Sequence, residues 1–541
     1  MRGEEEGGAA ALSDTGSLLD VSMFETPRPA SYVPGSGPRN AVVILLDSLN
    51  RHMLGSYGGS EFATPNLDRL AARSLRFTRH YSGSLPCMPA RHDILCGALD
   101  FLWKPWGSIE LWEEPITSQL RMAGVKSQLI SDHPHLFESG GENYHCDFGA
   151  WEYLRGHESD PWKLRPDPSW VGTPALPAAT EWERRHYDDS RTYFREEADF
   201  PGPKTMSAAA RWIEENVNCH ERFFLFVDEF DPHEPFDTPE PWTYLYHDQR
   251  DSPLIIWPPY GTDVVAREML TPAQGAQVRA NYGAKLSMID HWLGKVLDSF
   301  DRYDLWDDTA VIVLTDHGHY LGERDTFGKP PVPVHNTLGH IPLLLSWPGV
   351  TPGVRDALTT SVDIHATLCD IFDVTPEHRV HGRSLRPIVE GKQSQIRDYI
   401  LQGYWGRTVN VIDADGLYVR GIPNGNEPLG MWSNRWSTLG VRSFPRLRLP
   451  HPDDRAVLDR MPGSNIPVIH QLWTASDVAA NPLLGYHEDS ASSSLFDARD
   501  EDQLEDLGGS AREAGYEELL RHAFEDVDAP SEQFERMGLA R

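Results

Sequence analysis

Cysteine is scarce: five residues in 541, at positions 87, 96, 146, 219 and 369, with no C-x-x-C pair. An odd and widely spaced set excludes a fully paired disulfide framework, and it offers no zinc-ribbon spacing. Basic residues are also few. The 49 lysines and arginines face 81 acidic residues, giving a net charge of −32. Such a field repels polyanions, so nucleic acid is not an expected partner. A small, singly charged anion stays acceptable where a pocket is locally positive. No apolar run approaches the roughly 20 residues of a membrane span, so no membrane role is expected. Met1 to Asp20 is acidic and has neither the basic nor the apolar region of a signal peptide. The expected location is cytoplasmic.

What is present is an ordinary globular composition, 40% hydrophobic and 24% charged, long enough for one large domain and a smaller one. Residues 1–38 read as a flexible tail rich in Gly, Ser, Pro and Glu. From Ala41 the texture changes. Ala41–Leu46, Ser127–Ile130, Phe223–Val227 and Ala310–Leu314 are continuous apolar runs of strand length, as expected for strands buried on both faces. Helical patterns separate them, among them Thr64–Arg73, with a proline near its start, and Ala280–Phe300. The alternation predicts an α/β fold with a large, mostly parallel sheet flanked by helices, over residues 39–393. Residues 394–541 carry shorter strand patterns (Asp398–Leu401, Gly416–Arg420, Ser494–Asp497) and an acidic helical stretch, and read as a smaller C-terminal α+β domain.

Each buried run ends in polar chemistry. The first ends in Asp47-Ser48, and the second in Ser131-Asp132-His133-Pro134-His135. The third ends in Asp228-Glu229-Phe230-Asp231-Pro232-His233, and the fourth in Thr315-Asp316-His317-Gly318-His319. In open α/β sheets ligands bind outside the carboxyl ends of the strands. One such cluster is explained as well by a helix cap or a turn. Four together point to a metal or catalytic centre.

Cys87-Met88-Pro89-Ala90-Arg91 reads C-x-P-x-R, a pattern that arises by chance in a chain this long at the level of a few per cent. It resembles the signature in which a maturase oxidises cysteine to formylglycine. Further pieces follow in order: Asp47-Ser48-Leu49, Thr64-Pro65-Asn66-Leu67-Asp68, Asp231-Pro232-His233-Glu234-Pro235-Phe236, Thr315-Asp316-His317-Gly318, Gly328-Lys329, His340-Ile341-Pro342-Leu343 and Leu495-Phe496-Asp497. The ordered set, from about residue 40 to 507, is similar to the type I sulfatases and phosphonate monoester hydrolases of the alkaline phosphatase superfamily.

The resemblance implies a metal-dependent hydrolase of sulfate esters with an alkaline-phosphatase-like fold. Asp47, Asp316 and His317 would hold one divalent cation together with the formylglycine made from Cys87. The hydrated aldehyde is a geminal diol; one hydroxyl attacks sulfur, and the other then loses its proton to expel sulfate. Arg91 would orient the diol, and His233 and Lys329 would bind sulfuryl oxygens and protonate the leaving group. His133, His135 and His340 are further candidates for substrate contact, with the choice between His133 and His135 open. Calcium is the expected ion. The sequence departs from the family in having Asp47-Ser48 for paired aspartates and Asp316-His317 for Asp-Asn, which raises manganese as the alternative. The same departures leave phosphonate monoesters and phosphodiesters as alternative substrates. A non-catalytic anion-binding relative is the remote alternative. The implied partners are a small anionic ester and a formylglycine-generating maturase, with room for a homo-oligomer. Asp68 and Asp290 read as residues of helix surfaces or local salt bridges, His319, His335 and His381 as loop residues, and Cys96 and Cys369 as core.

Overall fold

A computed structural model describes residues 37–169, 181–330, 333–423, 425–436, 455–474, 476–477 and 491–539. The expected tail over 1–38 lies outside these residues except for Gly37 and Pro38. Eight strands form the main sheet: β1 (Asn40–Leu46), β2 (Leu75–Phe77), β3 (Lys126–Ser131), β4 (Ala150–Tyr153), β5 (Phe223–Glu229), β6 (Thr309–Leu314), β7 (Leu343–Ser346) and β8 (Gly353–Arg355). Their spatial order is β8-β2-β7-β6-β1-β5-β3-β4. Only β7 runs against the rest. The four apolar runs seen in the sequence are the adjacent parallel strands β6, β1, β5 and β3.

Their continuous apolar character has a direct cause: both faces are covered. Val42, Ile44 and Leu46 point into one core, with Leu225, Val227, Val311 and Val313. Ala41, Val43 and Leu45 point into the other, with Phe224, Phe226, Ile312 and Leu314. Among the helices that cover the sheet are α1 (Cys87–Cys96), α2 (Pro201–Asn216), α3 (Pro272–Arg302) and α4 (Val362–Phe372). Met206 and Ile213 of α2 and Leu286, Ile289 and Leu293 of α3 fill the first core. Ile94 and Leu95 of α1 and Ile364 and Leu368 of α4 fill the second. Cys96 and Cys369 are buried there, as expected.

Asp290 corrects its expected place on a helix surface. It is 1% exposed, and its carboxylate accepts from the backbone N–H groups of Asn66 and Leu67 at 3.0 and 2.7 Å. It therefore caps the helix Pro65–Ala71 from the side of α3.

Downstream, Ile400–Tyr404, Val409–Ile412, Gly416–Arg420 and Ser494–Asp497 form an antiparallel sheet. Its far edge is completed by Ser84–Leu85, which pairs in parallel with Gly403 and Tyr404 just before Cys87. A second sheet joins Leu429–Ser433, Ala456–Arg460 and Pro467–Trp473. The helix Glu513–Asp526 packs Leu520, Ala523 and Phe524 into the same core. No described helix is long and apolar enough to cross a membrane.

Candidate active site

Strands β5, β1 and β6 are neighbours, so their carboxyl ends set Asp228, Asp47 and Asp316 side by side. All three are completely buried. One guanidinium serves all of them. Arg91 donates from Nε and Nη2 to Asp228 at 2.8 and 2.6 Å and from Nη1 to Asp316 Oδ2 at 2.9 Å. Its Nη2 also lies 2.9 Å from Asp47 Oδ2. The planar, five-donor fork of arginine suits this task, which a lysine could not fill.

The C-x-P-x-R spacing then has a simple geometric meaning. Cys87 is the first residue of α1, and Arg91 lies one turn later on the same face. Pro89 sits in the first turn, where a missing N–H breaks no helical bond. Gly97 ends the helix at φ 72°, and a side chain there would also strike the ring of His365. The helix N-terminus thus presents the Cys87 sulfur, with its favourable field for negative charge, to the strand ends.

Around that sulfur, His317 Nε2 lies at 3.3 Å and Lys329 Nζ at 3.7 Å. His317 donates from Nδ1 to the carbonyl of Gly318 at 2.8 Å, which leaves the lone pair on Nε2 facing the sulfur. Gly318 is obligatory, because a Cβ would sit 2.0 Å from the carbonyl oxygen of Thr337. Ser48 occupies the position where the resembling family has a second aspartate. At φ 62°, it donates from Oγ to Asp47 Oδ1 at 2.8 Å and from its backbone N to Asp316 Oδ1 at 3.1 Å.

Ligand atoms of Asp47, Cys87, Asp316 and His317 lie within 4.8 Å of one another, all buried. Among the described residues, Asp47 Oδ2 meets Arg91 as an ion pair but accepts no hydrogen bond of good geometry. Burial, reinforced by the charge of Asp316, pushes Asp47 well above the usual carboxylate range. Asp316, for all its burial, is held below that range by His317 and Arg91. Two carboxylates driven apart in this way, beside a neutral imidazole lone pair, suit a divalent cation. Burial likewise pushes the Cys87 thiol up, reinforced by Asp47, so the free thiol is no ready nucleophile.

His233 and Lys329 close the other side. Lys329 Nζ lies 2.7 Å from His233 Nε2 and 3.3 Å from Ser48 Oγ. His233 donates from Nδ1 to the carbonyl of Glu234 at 2.7 Å, so its Nε2 accepts from the lysine. The Glu234 carboxylate accepts from Tyr260 and from His319, the latter at 3.1 Å. His319 lies in the loop after β6, as expected, but it is fully buried there and is held by the Glu234 carboxylate.

His133 is fully buried and stacks on Phe230 with ring centroids 4.3 Å apart, while Phe230 stacks on His233 at 4.1 Å. Among the described residues, neither nitrogen of His133 makes a hydrogen bond. His135 lies further out, between Glu138 at 2.5 Å and Glu158 at 3.3 Å, with its ring edge-on to Trp106. His340 is not brought to this cluster. It stacks on Tyr81, with Nε2 2.7 Å from the carbonyl of Thr78 and Nδ1 3.1 Å from Glu501, so protein groups occupy both ring nitrogens.

Sequence reasoning left Asp228, Ser48 and Glu234 without roles. Asp228 was visible as the polar end of an apolar strand, but nothing in one sequence shows that Arg91 reaches it.

With this geometry in view, residues 39–374 match the family model described as Sulfatase. The chain is similar to a choline-sulfatase of Rhizobium meliloti, 25% identical over 416 residues, covering 71% of this chain and 78% of the relative. It is similar to an arylsulfatase of Clostridium perfringens, 24% identical over 411 residues, covering 67% and 80%. Among solved structures, the phosphonate monoester hydrolase of Agrobacterium radiobacter shares the fold at 17% identity and a TM-score of 0.58, covering 90% of this chain and 95% of that one. The chain belongs to the Sulfatase family, as a sulfuric ester hydrolase on an alkaline-phosphatase-like fold.

Proposed function

We propose that the protein hydrolyses small, singly charged sulfate esters with a formylglycine made from Cys87 by a maturase. The observation that carries this reading is the Cys87 sulfur at the start of α1, facing His317 at 3.3 Å and Lys329 at 3.7 Å. The sulfur stands where the hydrated aldehyde would present its oxygens. Asp47, Asp316 and His317 would hold a divalent cation, calcium or manganese; bound there, it would neutralise sulfuryl oxygens and lower the barrier to attack.

The chain's own residues do the rest. Arg91 locks Asp47, Asp228 and Asp316 in place and fixes the turn that carries position 87. His317, donating from Nδ1 to Gly318, keeps the lone pair of Nε2 turned toward position 87, where it would serve as a ligand of the divalent cation. Lys329 attracts the anion, and with His233 it forms a hydrogen-bonded pair able to pass a proton to the departing ester oxygen. His133, buried with two unengaged nitrogens behind Phe230, is the candidate of the pair His133/His135 placed nearer this centre.

Charge supports a monoanionic substrate. Asp47, Asp228 and Asp316 oppose Arg91 and Lys329, so a divalent ion leaves one formal positive charge to meet one negative charge. Sulfate monoesters, phosphonate monoesters and phosphodiesters all carry that single charge. The Asp316-His317 pair, resembling the phosphonate monoester hydrolase pattern, favours the latter two as a second reading. A panel of 4-nitrophenyl sulfate, a phosphodiester and a phenylphosphonate ester tests both. Preference for the sulfate supports the first reading; turnover of phosphorus esters alone overturns it.

A further inference from the structure

Among the described residues, the strand Ile400–Tyr404 is the element of the C-terminal sheets that pairs with the segment leading into the nucleophile. Gly403 pairs with Ser84 and Tyr404 with Leu85, two residues before Cys87. Tyr404 is 6% exposed and packs against Leu85, Tyr320, Val334 and Leu338. Tyr320 is itself only three residues beyond His317. The Tyr404 ring therefore sits between the start of α1 and the loop that carries His317.

Its hydroxyl has no partner. Among the described residues it is a buried oxygen without a hydrogen bond. A buried phenol normally finds one, and leaving it unmade is unfavourable. The ring that carries it packs beside Leu85 and Tyr320, which flank the start of α1 and the loop of His317. Burial first raises its pKa, to about 12, and the charges of Arg407, Lys329, Cys87 and Asp316 act on it in turn. At the ordinary pH of an assay it remains a neutral O–H donor. The Arg407 guanidinium lies over the ring, 4.9 Å from its centre.

Resting on the proposed sulfatase reading, we infer that Tyr404 is a substrate-contacting residue. Its hydroxyl donates a hydrogen bond to an oxygen of the sulfuryl group held between Lys329 and position 87. The C-terminal part of the chain thus completes the anion pocket with a neutral donor. This accounts for a cost in the free enzyme that no protein contact repays: the missing acceptor is the substrate.

Tyr404→Phe separates this role from a structural one, because it removes the hydroxyl and keeps the ring. The melting temperature should stay equal or rise, since no hydrogen bond is lost in the free protein. For 4-nitrophenyl sulfate, kcat/KM should fall about ten- to a hundredfold, the loss expected for one hydrogen bond to a charged oxygen. Stabilisation of the protein by inorganic sulfate, read as a rise in melting temperature, should shrink in the variant. Parent-like kcat/KM together with a parent-like sulfate shift overturns the inference, as does a clear drop in melting temperature in the absence of sulfate. A parent that cleaves no ester in the panel overturns the proposed function separately, since the sulfate shift still reports on Tyr404.

Discussion

Lys329 Nζ and His233 Nε2 lie 2.7 Å apart, and the direction of that hydrogen bond is fixed from behind. The carbonyl of Glu234 can only accept, so His233 holds its proton on Nδ1 and turns a lone pair toward the lysine. Burial also drives His233 well below its ordinary pKa, which keeps the ring neutral. The pair is then one ammonium supported by one imidazole, set beside the Cys87 sulfur.

For Lys329→Ala the expected loss depends on the leaving group. General acids typically contribute ~100- to 10,000-fold. Alkyl sulfates, whose leaving oxygens are basic, should lose most, and activated nitrophenyl sulfate least. Equal rates for parent and variant across both substrates would leave Lys329 without a catalytic role and His233 as the remaining acid.

Asp316→Ala should remove bound divalent metal and activity together, since it would delete the proposed ligand held most firmly ionised in the cluster. Elemental analysis of the purified variant checks this. Full metal occupancy in the variant would show that the ligand set is wrong.

Arg91→Met should cost stability before chemistry is considered. It leaves Asp47, Asp228 and Asp316 buried without their shared cation. Stranding a buried charge by removing its partner typically costs about 3–5 kcal/mol. A thermal transition at the parent temperature would contradict this.

Glu501 gives a pH-dependent test at the junction with the C-terminal sheets. Despite burial, His340, Arg51 and His52 hold its carboxyl down at about 2. A depressed carboxyl stabilises the fold above its unfolded pKa, and that contribution is lost as pH falls from about 4.5 toward 2. The melting-temperature gap between parent and Glu501→Gln should therefore be constant at neutral pH and narrow below pH 4.5. It should also be small, since the side chain is 39% exposed and solvent-screened. A gap that widens on acidification would contradict the assignment.

The apolar runs told the fold because they are buried on both faces; β6, β1, β5 and β3 are recognisable without partners. Val409–Ile412 and the edge pairing of Ser84–Leu85 were not, since short strands take their identity from neighbours distant in sequence. The site divides in the same way. Cys87 and Arg91 are one helical turn apart and are legible as spacing. Asp228, Ser48 and Tyr404 join the centre only through tertiary placement. His340 carried a family-like motif, yet it is claimed by Glu501 and Thr78. His319 is the loop histidine it was read as, but nothing local announces its burial or the Glu234 carboxylate 85 residues away.

The most direct test is the mass of the peptide His80–Arg91 from protein produced alongside a formylglycine-generating maturase, measured on the preparation used for assay. The account predicts the aldehyde in place of the Cys87 thiol, with activity in proportion to the converted fraction. Fully active protein carrying an unmodified thiol at position 87 would contradict it.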